Sequence, residues 1–276
     1  MPELPEVETT RRCLEPELLR RRIVDVEVRR PRMVRRQPHP ADFRDRLLQS
    51  RIVALRRHGK FLLIDLSNDI VWVTHLGMSG RVAVTDTGSD EAPHTNVVVR
   101  FDSDREFRLV DPRTFGFVAA FTPEEIGGES FGKLGADALT ALPRSRQLHA
   151  LLEGRSAAIK PLLLDQGIVA GLGNIYADEA LHRAAINPLR PGSSLTPAEV
   201  SRLRNAIKTT LAAGLKWGGT SLDDLAYLLP DGRTGEYLSR LRAYGRDGQR
   251  CRRCGGTITR AVIRQRSTHW CPDCQT

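Results

Sequence analysis

Four of the five cysteines fall in one pattern near the C-terminus, Cys251-x2-Cys254-x16-Cys271-x2-Cys274, which leaves Cys13 alone. Two C-x2-C knuckles each present a pair of thiolates, and together they can surround one zinc ion tetrahedrally. The 26 residues from 251 to 276 are too few to bury a core of their own. Folding of this segment is therefore expected to be coupled to one structural zinc ion, and the four thiolates point to a reducing compartment rather than a disulfide framework. What such a module can do lies in the hairpin between its knuckles, which carries Arg260, Arg264, Arg266, Gln265, Ser267 and Thr268. That set suits phosphate, with a solvated basic face as the competing reading.

Charge follows the same lead. The 276 residues carry a formal net charge of +9. Residues 1–60 hold 16 basic and 9 acidic groups, residues 61–155 hold 9 and 14, and residues 156–276 hold 17 and 10. Nine arginines and two aspartates fall in 240–276. Clustered cations gain affinity for a polyanion by releasing its condensed counterions, while a solubilising surface needs no partner at all. Hydrophobic residues at 40% and charged residues at 27% are ordinary for a folded globular chain. No apolar run reaches the length of a membrane span, and the start Met1-Pro2-Glu3-Leu4-Pro5-Glu6 is acidic where a secretory signal is basic. The expectation is a cytoplasmic protein with no membrane partner.

The hydrophobic period changes along the chain. Residues 3–22 read as a helix, with Val7, Cys13, Leu14 and Leu18 on one side. Short β-rich runs follow at 23–28, 51–55, 61–66, 70–76, 81–85, 96–101, 106–110 and 115–121, an antiparallel sandwich or barrel. Residues 122–145, rich in Gly and Pro, read as a linker. Helices are expected at 145–153, 157–166, 174–184, 196–214 and 221–228, then a Gly- and Arg-rich mobile loop at 229–248. The division is 1–121, a β-sandwich domain with an N-terminal helix; 122–145, a linker; 146–241, a helical domain; and 242–276, the zinc finger.

Two further features carry chemistry. Gly171-Leu-Gly-Asn-Ile-Tyr176 places Asn174 as the N-cap of a helix behind flexible glycines, an arrangement that can bind an anion but is commonly only a turn. Pro2 follows the initiator Met, whose removal would expose a secondary amine beside Glu3 and Glu6. An α-amine ordinarily titrates at about 7.7 to 8.0, so a useful fraction is an unprotonated nucleophile near neutrality. Added to a sugar C1′ it gives an iminium with no N–H to lose, an electron sink for elimination at the next carbon.

Taken together, Pro2-Glu3-Leu4-Pro5-Glu6-Val7-Glu8-Thr9, His75-Leu76-Gly77-Met78-Ser79-Gly80, Asp111-Pro112-Arg113-Thr114-Phe115-Gly116, Gly173-Asn174-Ile175-Tyr176, Tyr244-Gly245-Arg246 and the terminal cysteines closely resemble the bacterial formamidopyrimidine-DNA glycosylases, in order and over essentially the whole chain. Leu4 favours the purine-lesion branch over the endonuclease VIII-like one. The resemblance implies an α+β protein: an antiparallel β-sandwich behind an N-terminal helix, a helical domain with a helix-two-turns-helix motif, and a zinc-finger hairpin, with duplex DNA in the cleft. It implies excision of 8-oxoguanine and formamidopyrimidines, then β,δ-elimination, by a monomer. On matching positions, Pro2 is the nucleophile, Glu3 a proton donor and Glu6 their support. Lys60 acts with the amine, and Arg266 assists the second elimination. Met78, Arg113 and Phe115 fill the gap left by the flipped base, since a damaged base cannot be reached inside the stack. Arg113 and Phe115, two apart in an extended segment, would point the same way. His94, Arg155, Lys160, Asn174 and Arg266 match phosphate contacts.

Three features depart from the family pattern: Asn96 in His94-Thr95-Asn96, Thr114 in place of a common Arg, and an altered 221–243 segment, slightly long at Leu228–Gly235. Two other readings compete: a non-enzymatic DNA-binding protein, favoured if Met1 is retained, and a glycosylase for oxidised pyrimidines.

Overall fold

The computed structural model describes residues 2–128, 130–221 and 227–276. Two compact units result, Met1–Lys133 with Trp217–Glu236, and Leu134–Lys216 with Tyr237–Thr276.

The first unit begins with α1 (Leu4–Leu18), shorter than the sequence suggests because Leu19 leaves helical geometry. Eight strands follow: β1 (Ile23–Val28), β2 (Ile52–His58), β3 (Phe61–Leu66), β4 (Val71–His75), β5 (Arg81–Asp86), β6 (Thr95–Phe101), β7 (Arg105–Val110) and β8 (Phe117–Phe121). They form two antiparallel four-stranded sheets, β1-β6-β7-β5 and β2-β3-β4-β8. Alternation sends Leu62, Ile64 and Trp72 from one sheet, and Val97, Val99 and Phe107 from the other, into a shared core. The Trp72 and Phe107 rings meet edge to face at 4.8 Å across it. Helix α1 adds Val7, Leu14 and Leu18 to this core and lies against β2, β3 and β5.

A second helix, α2 (Pro40–Leu47), was not expected from the sequence. Its signals are present but short: Pro40 at the first turn, Asp42 closing a capping box on His39, and only Phe43 and Leu47 on the buried side. The stretch read as a linker begins with α3 (Pro123–Gly128), whose Ile126, with Phe131, covers the outer face of β3, β4 and β8 at Leu63, Val73 and Phe117.

In the second unit, the two-residue strand β9 (Ala136–Asp137) precedes α4 (Ser145–Leu152) and α5 (Ile159–Leu164), and β10 (Val169–Ala170) precedes α6 (Asn174–Ala184) and α7 (Pro197–Lys216). Helices α6 and α7 pack against each other, and α5 against α6. The hairpin β11 (Thr259–Ile263) and β12 (Arg266–Trp270) closes the unit. Helix 221–228 of the sequence reading lies largely outside the described residues. The stretch read as a mobile loop is held in part: buried Glu179 accepts the backbone N–H groups of Arg242, Ala243 and Tyr244 at 2.8–3.0 Å.

Candidate active site and nucleic-acid interface

In the first unit, Pro2 is buried and Glu3 is the N-cap residue of α1. The Glu6 carboxylate accepts the Glu3 N–H at 2.8 Å through one oxygen and the Thr220 N–H at 2.8 Å through the other. It therefore closes the first turn of the helix and ties that turn to Trp217–Glu236. Gly219 makes the approach possible: a Cβ there would lie 2.8 Å from Glu6 Oε1, and its φ of +84° is costly for any other residue.

Lys60, buried, occupies the tight turn between β2 and β3. That turn is fixed to α1 by a group the sequence reading missed. Arg57, with a 1% exposed side chain, reaches Glu8 Oε2 at 3.2 Å and donates to the Gly59 carbonyl at 3.0 Å. Glu8 also receives Arg11 and Arg12. Burial raises the pKa of its carboxyl, but the hydrogen bonds and charges of these arginines outweigh that, and the net shift is downward. The i,i+3 and i,i+4 spacing of Glu8, Arg11 and Arg12 was the available signal; Arg57 lies 49 residues away and was not.

Met78 and the pair Arg113 and Phe115 fall on two adjacent loops. A Cβ on Gly77 (φ +63°) would stand 2.3 Å from Gly116 N, so the two loops pack backbone to backbone only with glycine there. Asp111 binds both: Oδ1 accepts Ser79 Oγ at 2.6 Å and Arg113 N at 3.2 Å, and Oδ2 accepts Gly116 N at 2.8 Å. Asn96 Nδ2 donates to the Asp111 carbonyl at 2.8 Å, which gives the departure at Asn96 a structural role. Phe115 is 41% exposed, a large apolar side chain free to enter a base stack. The Arg113 guanidinium lies 4.7 Å above its ring. The two come together otherwise than expected: Thr114 takes φ +51°, so the segment turns rather than extending, and the arginine folds over the ring. Arg35 holds the loop from below, donating to the Gly116 carbonyl at 2.6 Å and the Phe115 carbonyl at 2.9 Å. His75 packs beside it against Phe117, and burial together with Lys60, Arg35 and Arg36 pushes its pKa down to about 4. His94 is exposed just before β6, with φ +66°.

In the second unit, Asn174 is the first helical residue of α6 and Gly173 is the cap, one residue from the expected position. One donor of the amide is taken: Nδ2 donates to Ser267 Oγ at 3.2 Å, and Oδ1 is buried with no hydrogen-bond partner among the described residues. Lys160 also departs from the expected direct phosphate contact. It is 1% exposed, 2.7 Å from buried Asp178, and donates to the Ser267 carbonyl at 2.6 Å, so its charge supports the residue next to Arg266. Asp178 further accepts the His269 N–H at 2.9 Å. Arg266 itself is exposed at the start of β12, and Arg155 is exposed after α4. The hairpin tip between β11 and β12 is Arg264-Gln265, at φ +45° and +63°. Left-handed geometry costs a non-glycine residue roughly 1–2 kcal/mol, a strain consistent with a two-residue turn built to present its side chains.

The four cysteine sulfurs lie within 4.8 Å of one another. Cys251 to Cys274 is 3.8 Å and Cys254 to Cys271 is 3.4 Å. A tetrahedral zinc with bonds of about 2.3 Å separates its sulfurs by roughly 3.8 Å, so the donor set fits. The metal would fix the two knuckles and hence the hairpin; His182 Nε2, 3.2 Å from Cys251 Sγ, adds a partner outside the ligands.

Three family models match in sequence: the formamidopyrimidine-DNA glycosylase N-terminal domain over residues 1–118, its H2TH domain over 134–225, and the zinc finger found in FPG and IleRS over 248–276. The formamidopyrimidine-DNA glycosylase of Rhizorhabdus wittichii is 44% identical over 276 residues, covering all of both chains. The MutM (Fpg) protein of Thermus thermophilus superposes with a TM-score of 0.90 at 37% identity, over 99% of this chain and 98% of that one. Lactococcus lactis Fpg with Fapy-dG-containing DNA superposes with a TM-score of 0.90 at 31% identity, over 99% and 100%, and it is also known with DNA containing an abasic site or an oxidised pyrimidine. This chain belongs to the formamidopyrimidine-DNA glycosylase family.

Proposed function

We infer that this chain is a base-excision-repair glycosylase that removes oxidised purines from duplex DNA and cleaves the abasic strand. The observation that carries this is the full-length match to Fpg proteins, one of them bound to Fapy-dG DNA, in a chain that keeps Pro2 and Glu3 at the head of α1.

The chemistry follows from the residues. The free secondary amine of Pro2 attacks C1′ of the flipped nucleotide. The C1′–N bond breaks as the base leaves with the proton that the attacking amine loses, and Glu3 gives a proton to the ring oxygen as the sugar opens to an iminium. Loss of a C2′ proton expels the 3′ phosphate, and a second elimination expels the 5′ phosphate, with Lys60 near the amine and Arg266 assisting that last step. Glu6 holds Glu3 in place. Met78, Arg113 and Phe115 fill the vacated stack, and Arg113 faces the orphaned base. His94, Arg155, Asn174 and Arg266 grip phosphates, and Lys160 supports the last two from behind. The zinc supplies no chemistry; it fixes the hairpin. We place the protein in the cytoplasm, acting as a monomer with domains at 1–121, 146–241 and 242–276.

Borohydride trapping on an 8-oxoguanine duplex tests this. Met-free protein is expected to form a covalent adduct, and a variant with an N-terminal extension before Pro2 none. Absence of adduct from the native N-terminus overturns the reading. The oxidised-pyrimidine complex of the Lactococcus relative makes a second substrate worth measuring, and competition between thymine glycol and 8-oxoguanine duplexes ranks the two.

A further inference from the structure

We propose that Tyr227 is a positioning residue for base excision, latching residues 217–221 and 227–236 to the helix that carries the nucleophile. This rests on the functional reading above. Residues 217–221 are bonded to residues 227 and 235–236. Thr220 and Glu236 form an antiparallel bridge, Glu236 N donates to the Trp217 carbonyl at 2.8 Å, and Ser221 Oγ accepts Gly235 N and donates to the Tyr227 carbonyl, both at 2.8 Å.

It joins α1 through Glu6 twice. Thr220 N–H donates to the Glu6 carboxylate at 2.8 Å, and the Tyr227 hydroxyl lies 3.3 Å from the Glu6 main-chain carbonyl and 3.2 Å from that of Gly218. The phenol is 4% exposed. Burial, with Glu6 nearby, holds its pKa well above the ordinary value, so it remains a donor at any working pH. The far side of the segment is pinned as well: Val84 N donates to the Pro230 carbonyl at 3.3 Å, and Pro230, Asp231 and Arg233 line a cavity of about 240 Å³ with Cys13 and Glu17 of α1.

Phenylalanine would fill the same volume, so the hydroxyl contributes through its bonds. The one phenol hydrogen is shared between the Glu6 and Gly218 carbonyls, which holds the Glu6 main chain against this segment, and the Glu6 carboxylate touches both the N-cap of α1 and the segment. Displacement of the segment is thus transmitted to Glu3 and Pro2. Attack on C1′ while the base is still attached demands that Glu3 and the amine be placed together. Opening of a preformed abasic sugar demands less, because no base must leave.

The test compares zinc-loaded wild type, Tyr227→Phe and Ser221→Ala in single-turnover excision from an 8-oxoguanine duplex and in cleavage of a preformed abasic duplex. Iodoacetamide labelling of Cys13, the cysteine outside the zinc set, reports the latch directly. Losing one buried hydrogen bond at a positioning residue is expected to slow excision about tenfold while abasic cleavage changes less than about twofold. Cys13 labelling should accelerate in both variants. An equal fall in both activities, or no fall in excision, overturns the inference. Wild type that cleaves abasic DNA but excises no base overturns the functional reading and the inference with it.

Discussion

Ser79 Oγ donates to Asp111 Oδ1 at 2.6 Å, and both residues are buried, so the loop carrying Met78 is bonded to the residue that also organises Arg113 and Phe115. The two loops are one part. Asp111→Asn replaces an acceptor with an NH2 group against the Gly116 or Ser79 donor. Leaving a buried donor unpaired costs about 1–3 kcal/mol. Urea unfolding should show a loss in that range, with single-turnover excision more reduced than abasic-site cleavage. Unchanged stability and excision would show that Asp111 does not organise the loops.

Removing zinc should unfold the hairpin while sparing the sandwich. A chelator strong enough to strip four thiolates is expected to abolish binding to an abasic duplex while near-ultraviolet dichroism from Trp72, buried in the first unit, persists. Affinity that survives complete loss of zinc, measured by metal analysis, contradicts the assignment.

Phosphate contacts predict salt dependence. The four proposed contacts give a slope of log affinity against log salt of about −3.5 at most, and Arg266→Ala should make it shallower by about one. Lys160→Met offers the contrast: an ammonium buried against Asp178 should cost folding stability without taking a full unit from the slope. A loss of one unit there would return Lys160 to the phosphates.

His75 sets an acid limit. Its pKa falls from 6.5 to about 4 on folding, because burial and the charges of Lys60, Arg35 and Arg36 disfavour the imidazolium. Between those values the unfolded chain takes up a proton that the folded one does not, so stability should decline as pH falls from 6.5 toward 4. His75→Asn should flatten that part of the curve in denaturant titrations; an unchanged slope rules His75 out as its source.

Much of the fold was legible because its signals are local. The alternation of Leu62, Ile64 and Leu66 marks β3, and the paired cysteines announce the zinc module. Helix α2 escaped because two buried residues make no visible period. Within the site, the motif residues could be named from order and type. The groups that hold them could not: Arg57 works through Glu8, Glu179 through the backbone of 242–244, and Tyr227 through Glu6, all pairings far apart in sequence. Lys160 shows the converse. Its position was readable and its environment was not, since only the fold reveals that Asp178 has already claimed its charge.

The first unit is made of two pieces of chain, and synthesis inherits that order. Pro2 and Glu3 leave the ribosome first, yet the N–H that steadies the Glu6 carboxylate belongs to a residue 214 positions later, and the Tyr227 hydroxyl to one 221 positions later. On the proposed chemistry, a nascent chain carries its nucleophile long before it can aim it. If the latch acts as proposed, it is base excision, more than cleavage of an abasic strand, that waits for the late segment.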